Sequence, residues 1–328
     1  MVITRRRALA TLGLFLGSAC RRDTPPPPKA QIPIVGLLDA GERLEWWAAL
    51  REGLRDLGYA EDRNVAFAKR FAAGRYERLP AMAQELVRLN VAVIVTSGIV
   101  AAQEARRATA DIPIVIGTGI DPVKLGLVSS VDPPGGNITG VTTFGAGLTS
   151  KRLEVLRTLL PGLSRLAALW DRENVGSIAV VKDLQAAARE AKIELHEEGV
   201  RALTDLPAAF ASMRRKHAQA VFVIGGPRFF SERQRIAELA IRHRLPSMHG
   251  TSEFVEAGGL LAYAPRYPDL FRTVAALYVD KILRGAHPTE LPIGEPNKFE
   301  LAVNLKTAKS LELTIPQPLI LLADQVIK

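Results

Sequence analysis

VAVIVTSGIVAAQEARRATADIPIVIGTG, residues 91–119, decides the fold class. Two short apolar runs rich in Val and Ile, 91–98 and 112–119, each end in glycine and have strand length. Between them, residues 100–109 carry Ala, Gln, Glu and Arg with no Gly or Pro, a composition that favours helix. Strand, helix and strand within about thirty residues make a parallel pair with a crossover helix. Runs apolar throughout, instead of alternating, belong to strands covered on both faces.

The same alternation extends to both sides. Upstream, IPIVGLL (32–38) and VAFAKRF (65–71) read as strands. Leu44, Trp47, Leu50, Leu54 and Leu57 recur at helical spacing, and Gly58 stops that helix. Further helices are expected over 78–89 and 122–130, and NITGVTT (137–143) closes the first series. After Gly145-Ala146-Gly147 the pattern restarts. It runs through strands at 164–170, 192–200, 220–226, 245–250 and 259–265, with helices over 150–160, 177–191, 205–217 and 231–243. The expected architecture is therefore α/β, with two doubly wound parallel-sheet lobes and a multi-strand hinge near Phe144–Leu148. The tail, a helix over 268–284, the strand KFELAVNL (298–305) and a helix over 316–327, fits either lobe.

The first thirty residues are of another kind. TRRRALATLGLFLGSAC (4–20) has a basic head, twelve apolar residues and a small-residue exit, the layout of a secretory signal over residues 1–19. Twelve residues span roughly 18 Å as a helix, short of a ~30 Å bilayer core. Thr4 to Leu9 resembles a twin-arginine export signal. Ser18-Ala19-Cys20 resembles a lipobox, with the usual leucine one place early at Leu16, and Cys20 is the expected lipidation site. The alternative is an incidental thiol. Residues 20–31 include four consecutive prolines and read as an extended spacer.

Composition excludes several classes. One cysteine allows neither an internal disulfide nor a thiolate zinc site. The net charge of +9 includes Arg5, Arg6 and Arg7. A chain starting at Cys20 keeps 40 bases against 34 acids, and these mostly alternate along helices, as in REGLRDLGYAEDR (51–63). That is no nucleic-acid footprint. GxSxG, HExxH, P-loop and CxxC motifs are all missing, so no cofactor, metal or catalytic set is expected.

Ligands of open α/β sheets bind beyond the carboxyl ends of the strands. Those ends nominate Asp39, Ser97, Gly98, Thr118, Asp121, Trp170, Asn174, Gly225, Ser252 and Tyr263. Glycines admit a ligand to the backbone, and helix N-termini offer N–H donors to an anion. Asp121 ahead of Pro122 also reads as a plain cap, as do Ser97 and Ser252, and Trp170 as core.

GRYERLPAMAQELVRLNVAVIVTSG (74–98), DPVKLGLV (121–128), PGGNITGV (134–141), KRLEVLRTLLPG (151–162) and KFELAVNLKTAKSL (298–311) together resemble one bacterial family. It is the ABC-transporter substrate-binding protein family that includes tryptophan- and tyrosine-type binding proteins. The resemblance covers about residues 32–327. It implies a type I periplasmic-binding-protein fold with three crossings between lobes, 32–143 plus 266–286 forming one lobe and 144–265 plus 287–328 the other. It also implies a solute held in the cleft and delivered to a membrane permease. Trp170-Asp171-Arg172 departs from the family, where asparagine-proline is more usual. On this reading the protein is an exported, lipid-anchored monomer that binds a small zwitterionic or anionic solute. Ser97 and Thr118 would face a carboxylate, and Asp121 or Asp39 an ammonium, with Trp170 and Tyr263 as an apolar wall. A receptor-coupled sensor and an exported enzyme using His249 and Glu253 are the rival readings.

Overall fold

The computed structural model describes residues 32–143 and 147–328. The signal segment, Cys20 and the proline spacer lie outside the described residues, as does most of the expected hinge at 144–148.

The first series forms β1 (Ile34–Asp39), α1 (Leu44–Asp56), β2 (Ala66–Phe71), α2 (Leu79–Arg88), β3 (Val93–Ser97), α3 (Ile99–Ala108), β4 (Ile114–Ile116) and β5 (Ile138–Gly140). Its five strands are all parallel, in the order β2-β1-β3-β4-β5. The second series forms α4 (Leu148–Leu159), β6 (Arg165–Asp171), α5 (Val175–Glu190), β7 (Glu194–Val200), α6 (Leu206–Arg215), β8 (Ala220–Val223), α7 (Pro227–Ser231), α8 (Arg233–Arg242), β9 (Ser247–His249), α9 (Ser252–Glu256) and β10 (Leu261–Pro265). The chain then continues as α10 (Tyr267–Val274), α11 (Asp280–Leu283), β11 (Phe299–Asn304), α12 (Leu305–Ser310), α13 (Gln317–Leu322) and β12 (Gln325–Ile327). The second sheet runs β12-β11-β10-β9-β8-β6-β7, with β10 and β11 its only antiparallel neighbours.

Buried Val, Ile, Leu and Ala cover both faces of each sheet, as all-apolar strand runs require. On α1 the predicted face is right in its middle, since Trp47, Leu50 and Leu54 are buried. Leu44 and Leu57 at its ends are exposed, while Trp46, off that face, is buried. The reason is a second neighbour. α10 leaves the second sheet after β10 and packs on α1, with Gly53 at the crossing, where a Cβ would lie 2.9 Å from Ala275 Cβ and 3.1 Å from Arg272 Cα.

Three expectations need correction. No helix forms over 122–130. There Asp121 Oδ1 accepts from the Val123 and Lys124 amides, and Gly126 turns the chain with a φ of +67°. The helix expected over 316–327 stops at Leu322, because Asp324 pairs with β11. Its N–H donates to Leu301 O and its carboxylate accepts from Leu301 N, both at 2.9 Å, so the chain enters the sheet as β12. Residues 291–294 stay with the first sheet instead of the second. Thr139 Oγ1 donates to Leu291 O at 2.6 Å, and Gly294 bridges the strand end at Gly140 and Thr142. The chain thus passes between the sheets three times: after β5, after β10 and before β11.

Candidate functional site

The carboxyl ends of β1, β3 and β4 face those of β6, β8 and β9 across a cleft with about 800 Å³ of empty space, counting the part open to solvent. One wall comprises Arg43, which precedes α1, Trp46 of α1, the first turn of α3 from Gly98, the Thr118–Ile120 loop and Tyr267. The other comprises Asn174, the loop from Ile224 to Pro227, Phe230, Thr251 and Phe254. Arg152 of α4 lines it too, as do Gly176 and Val180 of α5, Phe222 and Gly250.

The first wall is cross-linked by hydrogen bonds. Asp39, fully buried at the end of β1, accepts from Gly41 N at 2.8 Å, Trp47 Nε1 at 2.9 Å and the Arg43 guanidinium. That guanidinium also donates to Ser97 Oγ at 2.8 Å, tying the ends of β1 and β3 to the start of α1. Gly98 follows with a φ of +86°, left-handed backbone that suits glycine, and its N–H donates to Thr118 O at 3.0 Å. Thr118 Oγ1 lies 3.0 Å from Thr143 Oγ1. The first turn of α3 therefore borders the cleft at the positive end of a helix.

The second wall is built of backbone and apolar surface. Asn174 caps α5 by accepting from Gly176 N at 2.9 Å. Its amide nitrogen fills the space over Gly226, where a Cβ would come within 2.6 Å of it. Thr251 Oγ1 is buried and meets no hydrogen-bond partner. Arg152 is 2% exposed and donates Nε to Tyr263 O at 2.7 Å, with Gly250 O at 3.4 Å. Burial lowers its pKa to about 10, so it is charged at neutral pH.

Aromatic rings bridge the walls. Trp46 stacks on Tyr267 at 4.2 Å, meets Phe230 edge-on at 5.7 Å and donates Nε1 to Glu253 Oε1 at 2.6 Å. Arg43 lies over Trp46, 4.9 Å from the ring centroid. On another rim Tyr76 OH donates to Asp171 Oδ2 at 2.9 Å, and Arg228 Nε donates to Gly74 O at 3.0 Å. Burial raises the Asp171 pKa.

Of the residues nominated by sequence, Gly98, Thr118, Asn174 and Gly225 line the cleft. Asp39 and Ser97 stand behind it, holding Arg43. The remaining four lie elsewhere. Asp121 organises its own turn. Trp170 packs over Gly199, and Tyr263 stacks on Phe299 at 5.7 Å. Ser252 opens α9, one place past the lining Thr251. His249 is a core residue, stacked on Phe254 at 4.8 Å with Nε2 2.9 Å from Ser247 Oγ. Burial lowers its pKa to about 3. Glu253 lines a neighbouring groove that shares Arg43, Trp46 and Phe230 with the cleft, and its Oε2 is buried without a hydrogen-bond partner. Among the described residues, no group of three or more His, Cys, Asp or Glu is arranged to hold a metal. Nor is any helix there long and apolar enough to cross a membrane.

Sequence reading missed Arg43, Trp46, Arg152, Thr251, Phe254 and Tyr267. Arg43 had a signal, since it falls four residues after Asp39 at the start of a helix. Arg152 had none, because KRLEVLR reads as a solvated helical face.

Two α/β lobes with a polar, apolar-walled cleft between their strand ends define a protein that encloses a small solute. The chain belongs to the ABC transporter substrate-binding protein family, whose model matches residues 31–327, and it is the solute-binding component of such a system. It is 25% identical over 262 residues to a tyrosine-binding protein of Clostridioides difficile, covering 80% of this chain and 75% of that protein. An ABC domain from Streptococcus pneumonia solved in complex with L-Trp superposes with a TM-score of 0.84 at 24% identity, covering 90% and 99% of the two chains. A conserved domain protein of Vibrio cholerae superposes with a TM-score of 0.85 at 23% identity, covering 90% and 100%.

Proposed function

We propose that the cleft captures a small carboxylate with an apolar body, the chemistry shared by the amino acids named for the relatives, and delivers it to a membrane permease. The observation that carries this reading is the pairing of buried Arg152 and the first turn of α3 with an aromatic cluster inside one cleft. The α3 amides, Thr118 and Arg152 hold the carboxylate. Trp46, Phe230, Phe254 and Tyr267 pack the body. Because both walls touch the solute, it binds the closed arrangement better than a parted one, which is what drives closure. Residues 32–143 and 266–294 move as one lobe and the remainder of 147–328 as the other.

On this reading the protein is a binder, and the burial of His249 in the core speaks against the acid–base pair of the enzyme reading. It works as a monomer, exported and anchored through lipid on Cys20. Calorimetry against aromatic and branched amino acids and their analogues tests the solute class, and binding of none of them overturns it. Mass spectrometry of the mature N-terminus tests the anchor, and an unmodified Cys20 removes it.

A further inference from the structure

The start of α9 carries two oxygen atoms that the protein itself leaves without partners. Thr251 stands at the N-cap position, yet its side chain caps nothing. Its Oγ1 is buried and unbonded in a residue that lines the cleft. Glu253, two residues on, is 8% exposed. Its Oε1 accepts from Trp46 Nε1 at 2.6 Å, while Oε2 is buried without a hydrogen bond. Among the described residues no other carboxylate has a buried oxygen in that state. Asp39 is bound by Gly41 N, Trp47 Nε1 and Arg43, and Asp171 by Tyr76, Glu173 N and Arg228. Glu253 lines the groove that adjoins the cleft at Arg43, Trp46 and Phe230. The two cations of that groove bond elsewhere, Arg43 to Asp39 and Ser97, and Arg233 to Phe230 O at 2.9 Å.

Trp46 belongs to the first lobe and Glu253 to the second, so their bond exists only with the lobes together. Closing therefore strips water from a carboxylate and satisfies one of its two oxygens. A buried charge left half-paired is costly, and closure without a solute bears that cost in full. An ammonium group brings three N–H donors and a positive charge, which are what Thr251 Oγ1 and Glu253 Oε2 lack. Resting on the reading that the cleft takes a carboxylate with an apolar body, we infer that the start of α9 is the ammonium end of the site. Thr251 Oγ1 accepts from the solute's ammonium, and Glu253 Oε2 supplies the counter-charge. The solute is then an amino acid, and Glu253 makes closure conditional on its ammonium.

Calorimetry on the full protein compares matched pairs: phenylalanine with 3-phenylpropanoate, tyrosine with 3-(4-hydroxyphenyl)propanoate, tryptophan with 3-(indol-3-yl)propanoate, and leucine with 4-methylpentanoate. The amino acid of the best pair is expected to bind at least about tenfold more tightly than its des-amino acid. Glu253→Gln keeps an oxygen for the Trp46 indole and removes the charge, and there the preference is expected to drop to about twofold or less. Thr251→Val, of nearly the same shape, is expected to narrow it several-fold, and it carries the comparison if Glu253→Gln does not fold. A des-amino acid that binds the parent as tightly as its amino acid overturns this inference and leaves the carboxylate reading intact. Binding of neither member of any pair overturns both. A preference unchanged in the folded variants overturns the ammonium site. So does an equal loss for both members of the pair in Glu253→Gln, which would confine Glu253 to its bond with Trp46.

Discussion

The two walls of the cleft are made differently. The first is a network: Asp39, Arg43, Ser97 and Trp47 join two strand ends to a helix start with buried, charge-assisted hydrogen bonds. The second presents glycines, a proline, a helix cap and aromatic edges, and its side chains bond mainly within their own turns. A network of this kind is set before the solute arrives, so it supplies fixed electrostatics. A wall of backbone and rings supplies shape, and it reaches the first wall through a few bonds that exist only when the lobes meet. The first wall therefore offers fixed electrostatics and the second mainly shape, with Arg152 bringing one further charge from the side of Tyr263 and Gly250.

The largest effect should come from breaking the network. Arg43→Ala leaves Asp39 buried without its cation, and losing one partner of a buried pair costs about 3–5 kcal/mol. Urea denaturation should show that loss, whereas Asn174→Ala on the opposite wall should cost only about 1 kcal/mol, the ordinary worth of a cap. Equal losses would mean that the walls are not built differently after all.

The next effect separates them by pH. His249 ends β9 just before the second wall, and burial holds its pKa at about 3, against 6.5 when exposed. Between those values the unfolded chain binds a proton that the folded chain refuses, so stability falls as pH drops below the unfolded value. From pH 7.5 to 5 this group should remove about 2 kcal/mol. In His249→Gln, which can still bond Ser247, the pH dependence over that interval should flatten by the same amount. An identical slope in the variant would show that His249 is not the group responsible.

Much of this division was legible in the chain, and what was not has a physical cause. Strands with apolar residues on both faces announce themselves, as 91–98 and 112–119 do, because burial on both sides leaves no polar periodicity. Strand ends then locate the cleft, which is how Gly98, Thr118, Asn174 and Gly225 were found. Trp46 was passed over because helical spacing counts one core, while α1 faces both its sheet and α10. Arg152 was hidden for the opposite reason, since a cation on an amphipathic helix looks solvated until the partner surface at Tyr263 and Gly250 is known. Asp324, which turns the expected last helix into a strand, acts through β11 more than twenty residues away. No local pattern contains it.

A smaller effect probes the bonds that close the cleft. Tyr76 OH on the first lobe donates to Asp171 on the second, and Tyr76→Phe removes that bond from the closed arrangement alone. A bond to a charged acceptor contributes roughly 1–2 kcal/mol, so solute affinity should weaken about tenfold. Urea stability of the unliganded protein should change by less than about 0.5 kcal/mol. Stability and affinity falling together would mean that Tyr76 supports its own lobe instead of the closure.

Asp121 marks how far the first wall extends. It follows β4 in chain order, as Asp39 ends β1, yet its carboxylate faces the Val123 and Lys124 amides at 2.9 and 3.2 Å and its side chain is not among the cleft lining. A short-range bond of this type stabilises a turn by roughly 0.5–1 kcal/mol. Asp121→Ala should therefore lower stability by that amount in urea denaturation and leave the affinity for a solute found by calorimetry unchanged within error. A tenfold loss of affinity would carry the charged wall across to β4.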